Sequence, residues 1–200
     1  MAALELSEIQ IEAMKEVGNI GAGHAATALS EMLNEPVQIG MPSVEILPFA
    51  NLAGRLSRHG RIVSAVHMHV HGEAPCQIVV LFDKAQALGF VSIFTGLESG
   101  DEAISDPIIE STIKEVANII GGAYLTALTE LTGITLIPSV PTFSTGTTES
   151  AFLELLDVPG DQDVFYVQTG FENGRPVIAG EFILIPEKES IGPLLSVFGL

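Results

Sequence analysis

Glutamate and asparagine stand three residues apart at Glu16/Asn19, and again at Glu115/Asn118, 99 positions further along. The flanking segments are near-copies, KEVGNIGAG over 15–23 and KEVANIIGG over 114–122. A proline follows each asparagine at the same distance, at Pro42 and Pro141. On a helix, residues i and i+3 are neighbours, with Cβ atoms about 5–6 Å apart. A carboxylate accepts hydrogen bonds and pairs with cations, whereas a carboxamide donates and accepts without ionising. Side by side they can orient a water molecule against an electrophile. The chain supplies no nucleophile–base pair, metal-ligand cluster or phosphate-cradling lysine beside them. The electrophile, and any metal, are therefore expected to come with a partner.

The recurrence extends well beyond the pair. Residues 12–42 align with 111–141 without gaps, and 11 of the 31 columns are identical: Lys15/Lys114, Glu16/Glu115, Val17/Val116, Asn19/Asn118, Ile20/Ile119, Gly23/Gly122, Thr27/Thr126, Ala28/Ala127, Leu29/Leu128, Glu31/Glu130 and Pro42/Pro141. The ends match too, with Asp83-Lys84 then VSIFTGL in one half and Glu187-Lys188 then LSVFGL in the other. An internal duplication is the reading. It predicts a single domain over 1–200, with repeats 5–97 and 105–200 joined by the acidic linker 98–106.

Each half must position its pair with the same elements. Periodicity predicts long helices over 7–33 and 106–131, with Ser7 and Ser105 or Asp106 as N-caps, Pro107 in the first turn, and Asn34 and Gly133 as stops. Strands are expected over 42–49, 61–71 and 77–82, and over 142–155, 163–171 and 176–185. GFENGRP at 170–176 resembles a hairpin turn. Shorter helices are expected over 84–95 and 187–198, the second disturbed by Pro193. The predicted fold class is α+β: two pseudo-symmetric α-β-β-β-α halves sharing a largely antiparallel sheet.

At 100° per residue, Glu12, Glu16, Asn19, Gly23 and Ser30 fall within about 40° of one line. Met14, Val17, Gly21, Ala25, Ala28 and Met32 fall opposite. In the second helix Ser111, Glu115, Asn118, Gly122 and Thr129 form the line, opposed by Ile113, Val116, Ile120, Tyr124, Ala127 and Leu131. The apolar sides should pack on the sheet and the Glu/Asn lines should face outward. A glycine one turn beyond each asparagine leaves room for a partner backbone. The candidate catalytic residues are Glu16, Asn19, Glu115 and Asn118; Glu12, Gly23, Ser111 and Gly122 are candidate docking residues, and no metal ligands are assigned.

Composition narrows the alternatives. Eight basic residues against 25 acidic ones give a formal charge of −17, which repels phosphate backbones and anionic lipid surfaces. The same field favours a partner with a basic face. With 47% hydrophobic residues the chain can bury a sizeable core. No run of about 18 uncharged apolar residues is present, and the acidic N-terminus is unlike a signal peptide, so a cytoplasmic location is expected. Cys76 is the single cysteine and lies in the apolar run CQIVVLF, as a core thiol does. His67, His69 and His71 alternate on one strand; they read as a polar strand face, with a two-histidine zinc site as the lesser alternative. His24 lies off the Glu/Asn line and is expected at the helix flank. The glycines of VGNIGAG sit inside a helix rather than between a strand and a helix, so they do not form a dinucleotide loop.

The doubled motif resembles the CheC-type phosphatases of chemotaxis, with their relatives CheX and FliY. The family pattern is Asp or Ser, three residues, Glu, two residues, Asn, twenty-two residues, Pro. Ser111, Glu115, Asn118 and Pro141 match it fully. Glu16, Asn19 and Pro42 match in the first copy, where Glu12 replaces the Asp or Ser. GNIGAGHAATAL and GGAYLTALTELTG…PSVP are also similar to CheC, and the likeness runs through both halves. The resemblance implies dephosphorylation of the aspartyl phosphate of a CheY-type response regulator. In that carry-over Asn19 and Asn118 position the attacking water, and Glu16 and Glu115 bind the receiver's lysine. The Mg²⁺ would sit in the receiver, with no cofactor in this chain. A second partner, the deamidase CheD, is an expectation carried by the resemblance alone. The alternative is a non-catalytic binding or switch module of the flagellar motor, or a CheD-binding regulator.

Overall fold

The structure is a computed structural model and describes residues 8–39, 42–56, 61–97, 106–151, 156, 158–172, 178–187 and 190. Its elements run α1 (Glu8–Leu33), β1 (Gln38–Ile39), β2 (Ser43–Pro48), α2 (Phe49–Leu56), β3 (Ile62–Gly72), β4 (Cys76–Asp83) and α3 (Lys84–Thr95). The second half continues with α4 (Asp106–Thr132), β5 (Leu136–Pro138), β6 (Thr142–Thr147), α5 (Thr148–Ala151), β7 (Asp163–Glu172) and β8 (Ile178–Pro186).

The eight strands among the described residues join one sheet, in the order β1-β7-β8-β4-β3-β5, with β2 also on β7 and β6 also on β3. Each pairing is antiparallel. The halves meet where β4 pairs β8, Val79 opposite Ile183. Swapping β4 with β8, β3 with β7, β2 with β6 and β1 with β5 reproduces the order. This is a pseudo-twofold axis normal to the sheet, and it sets α1 and α4 antiparallel on one face. The expected α+β class and its pseudo-symmetric halves are what the structure shows.

The helix starts and stops follow local chemistry. Asn34 adopts a left-handed φ of 51° after α1, and Gly133 one of 71° after α4, as helix-ending residues do. Asp83 caps α3 by accepting from the Gln86 N–H at 2.8 Å, and Gln86 Oε1 accepts the Asp83 N–H at 2.7 Å. Asp106 opens α4 as a helical residue; Ser7 and Ser105, the other proposed caps, lie outside the described residues.

Val66, Met68 and Val70 of β3 turn toward the long helices and pack with Met14, Val17, Ile113, Val116 and Ile120. Close helix approach needs small residues. A Cβ on Gly18 would lie 2.5 Å from Val44 Cγ2, and one on Gly21 would enter the Tyr124 ring. Tyr124 in turn stacks on Phe182, with centroids 4.2 Å apart.

The opposite sheet face carries a second core, which the sequence reading did not anticipate. Phe49, Leu52 and Leu56 of α2 cover Val63, Ala65, Val79, Leu81, Tyr166, Ile183 and Ile185. Phe49, expected at the end of a strand, instead opens α2, where Phe49, Leu52 and Leu56 have helical spacing. The long strand expected over 142–155 is corrected as well. It ends at Thr147 and turns into α5, and residues 152–155 lie outside the described ones. Glu187, the expected start of the last helix, is not helical; its N–H donates to the Pro75 carbonyl at 3.0 Å. Most of 187–198, the turn residues 173–176 and the linker 98–105 fall outside the described residues.

Candidate functional site: two outward helix faces

Glu12, Glu16, Asn19 and Gly23 are exposed along α1, and Ser111, Glu115 and Asn118 along α4, with Gly122 half-buried. Behind them Met14, Val17, Ile113 and Val116 are buried, none exposed by more than 4%. Two members of the expected lines behave otherwise. Ser30 donates to the Ala26 carbonyl at 2.7 Å and accepts the Val37 N–H at 2.9 Å, so it braces the turn after α1. Met32, expected on the apolar side, is 38% exposed near the end of α1.

Among the described residues, no side-chain hydrogen bond or ion pair of this chain engages Glu16, Asn19, Glu115 or Asn118. Their polar groups remain available to water or to another molecule. The glycines divide sharply by role. A Cβ on Gly23 or Gly122 would meet nothing within 4 Å, unlike one on Gly18 or Gly21. Packing inside the chain therefore gives no reason for glycine at 23 and 122, where alanine would favour the helix by about 1 kcal/mol. Thr27 and Thr126 repeat the local bonding, donating to the carbonyls of Gly23 and Gly122 at 3.0 and 2.9 Å.

Charge distinguishes the copies. Lys15 Nζ pairs with Glu12 at 2.7 Å, which draws a cation toward the motif line. Lys114 Nζ pairs instead with Glu110 at 2.6 Å, off the line, and Ser111 donates to the Ile108 carbonyl. Pro42 and Pro141 each stand just before an edge strand, β2 and β6, where a missing N–H breaks no ladder bond. Their fixed distance from the asparagines thus marks where each helix's return strand begins.

The other candidates take structural roles. His24 Nε2 lies 3.6 Å from Glu130 Oε2, bridging the two helix flanks. His67 Nε2 is 2.9 Å from Gln77 Oε1 and its ring meets that of His69 edge-on. Burial holds the His67 pKa below the ordinary histidine value, against the opposing Gln77 hydrogen bond. No group of three or more metal-ligating side chains converges among the described residues. Cys76 is buried and its thiol is pushed up to about 12, chiefly by burial, as befits a core residue. No described helix is long and apolar enough to cross a membrane.

A polar cluster on the second face escaped the sequence reading. Arg61 makes a two-pronged pair with Glu181 at 2.9 and 2.7 Å, tying the first half to the second. Arg55 does the same with Glu45 at 2.8 and 2.9 Å while lying 5.2 Å over the Tyr166 ring. The only available signal was arginine flanking an otherwise apolar strand.

Fold and faces together define a class: an internally duplicated α+β protein whose antiparallel sheet presents two long helices outward. That fold is shared by Thermotoga maritima FliY, with a TM-score of 0.79 and 24% identity over 98% of both chains. The middle domain of FliM from H. pylori has it too, at 0.73 and 14% over 96% of this chain and 99% of that one. So does the CheX of a CheX-CheY-BeF3-Mg+2 complex from Borrelia burgdorferi, at 0.55 and 18% over 85% and 97%. The CheC-like family model matches residues 9–46 and 108–145, each segment carrying one motif helix and the start of its return strand. The chain is 29% identical over 127 residues to the CheY-P phosphatase CheC of Bacillus subtilis (strain 168), covering 62% of this chain and 61% of that one.

Proposed function

We propose that this chain is a phosphatase that hydrolyses the aspartyl phosphate of a CheY-type receiver, with each motif helix forming half of an active site. The observation carrying this reading is the duplicated, uncommitted Glu/Asn face with open space over its glycine. The CheY-P phosphatase named among its relatives supports the reaction, and the CheX–CheY complex supports the partner and the site of Mg²⁺.

In this reading the helix docks across the receiver's phosphorylated pocket. Glu16 or Glu115 pairs with a receiver lysine and fixes the helix. Asn19 or Asn118 holds a water with one amide group so that its oxygen faces the phosphorus. The water attacks phosphorus in line, the bond from phosphorus to the aspartate oxygen breaks, and the aspartate leaves as a carboxylate. Inorganic phosphate departs and the proton passes to solvent. No covalent intermediate forms on this chain. Phosphoryl transfer needs chiefly positioning and charge stabilisation, so a Glu/Asn pair suffices once the receiver brings Mg²⁺. Glu12 and Ser111, with Gly23 and Gly122, line the docking surface. A receiver target also places the chain in the cytoplasm, with a CheD-type deamidase as a further partner.

The test is phosphate release from a phosphorylated CheY-type receiver. A positioned water is worth on the order of 100-fold at its own site, so Asn19→Ala and Asn118→Ala should each retain the activity of the intact copy. The double variant should fall to the receiver's own decay rate. The fold shared with the FliM middle domain favours a second reading, a docking module that binds without accelerating hydrolysis. Wild-type protein that binds the receiver yet leaves its decay unchanged would select that one.

A further inference from the structure

The second motif face does not stop at Gly122. A groove of about 280 Å³ opens beside that glycine, walled by Leu125, Leu136 and Pro138 and rimmed by Thr129 and Glu130. Its construction depends on how the chain leaves α4. Gly133 turns the backbone through a positive φ, the Thr135 N–H donates to Glu73 Oε1 at 3.0 Å, and Leu136 pairs with Gly72. These bonds hold β5 on β3. In the first copy the corresponding space is bridged. Ser30, at the position of Thr129, accepts the Val37 N–H and draws the exit segment onto α1, and Ala26 replaces Leu125.

We propose that this groove takes a long basic side chain, lysine or arginine, from the receiver that docks on α4, making the second face more extensive than the first. The inference rests on the phosphatase-docking reading above. Continuity with Gly122 puts the groove within reach of whatever covers the motif line. The apolar walls suit the methylene stem of such a side chain, and Glu130, whose side chain is 58% exposed and has one oxygen 3.6 Å from His24 Nε2, suits its charged head. The formal charge of −17 favours a basic group over an acidic one.

The experiment isolates each face. Thr129→Phe, which fills the groove, and Glu130→Gln, which removes its charge, are made in an Asn19→Ala background and in an Asn118→Ala background. Both phosphate release and equilibrium binding are measured with a CheY-type receiver, the latter with BeF3 and Mg²⁺ added. In the Asn19→Ala background, Thr129→Phe should weaken binding and raise KM about tenfold with kcat little changed, as loss of one anchored side chain does. Glu130→Gln should lower the association rate and flatten its salt dependence. In the Asn118→Ala background the first face still turns over, so unchanged kcat and KM there show that the fold is intact. Equal losses in both backgrounds, or an unchanged KM in the Asn19→Ala background, overturn the groove. Absence of hydrolysis with groove-dependent binding retained would instead sink the phosphatase reading and leave the groove standing.

Discussion

Glycine to alanine at four positions of the two long helices should give opposite results according to what each Cβ meets. At Gly23 and Gly122 the new methyl finds nothing within 4 Å. Relief of the glycine penalty is worth about 1 kcal/mol per site. The two lie on separate helices with no shared contact, so the double variant gains about 2 kcal/mol. At about 2–4 °C per kcal/mol for a chain of this size, the melting temperature rises by about 4–8 °C. At Gly18 the methyl lands 2.5 Å from Val44 Cγ2, and at Gly21 it lands on the Tyr124 ring. Overpacking costs about 1–3 kcal/mol, and the same propensity gain offsets part of it. A net loss of about 1 kcal/mol is expected at each. Thermal and urea unfolding give the stabilities, and phosphate release from a phosphorylated receiver gives the function. The Gly23/Gly122 double variant should be more stable and less active, since each methyl occupies docking space. If it is destabilised, the open helix faces are wrong. If it is stabilised and fully active, close partner approach is not why glycine stands there.

The second face of the sheet and the pH dependence offer two more tests. Glu181→Ala leaves the half-buried Arg61 guanidinium without its two-pronged partner, and a loss of about 3 kcal/mol is expected in urea unfolding, the low end of the range because the Arg61 side chain keeps 31% exposure. Replacing both, Arg61→Met with Glu181→Leu, should restore most of that loss. His67 is held below its ordinary pKa of 6.5 by burial, so the folded state binds its proton less readily than the unfolded chain. Its contribution is complete above about pH 6.5 and is lost as the pH falls through the folded value. His67→Gln should therefore flatten the stability profile of the wild type below pH 6.5, and an unchanged slope would assign that loss to other groups.

The duplication, the Glu/Asn pairs and the extent of α1, α3 and α4 were legible because they are local. A helix repeats its environment every 3.6 residues, so periodic apolar positions announce themselves, and two aligned copies reveal which polar residues are held in register. Even the outward direction of Glu16, Asn19, Glu115 and Asn118 follows from a wheel. The sequence misled where a short element broke a longer pattern. α5 interrupts a segment read as one strand, and α2 begins on Phe49, read as the end of another, because one or two helical turns cannot establish a period. Tertiary structure alone supplied the neighbours of the glycines of GNIGAG. The wheel already sets Gly21 opposite Gly23, but what Gly18 and Gly21 meet, Val44 and Tyr124, lies far away in the chain and is not encoded within the segment. It also decided the asymmetry of the two faces. Ser30 and Thr129 look interchangeable in an alignment, yet one accepts the Val37 N–H at the exit of its helix and the other borders an open groove. What each copy can do is written in its residues, but how much surface it offers a partner is set by bonds formed between the halves.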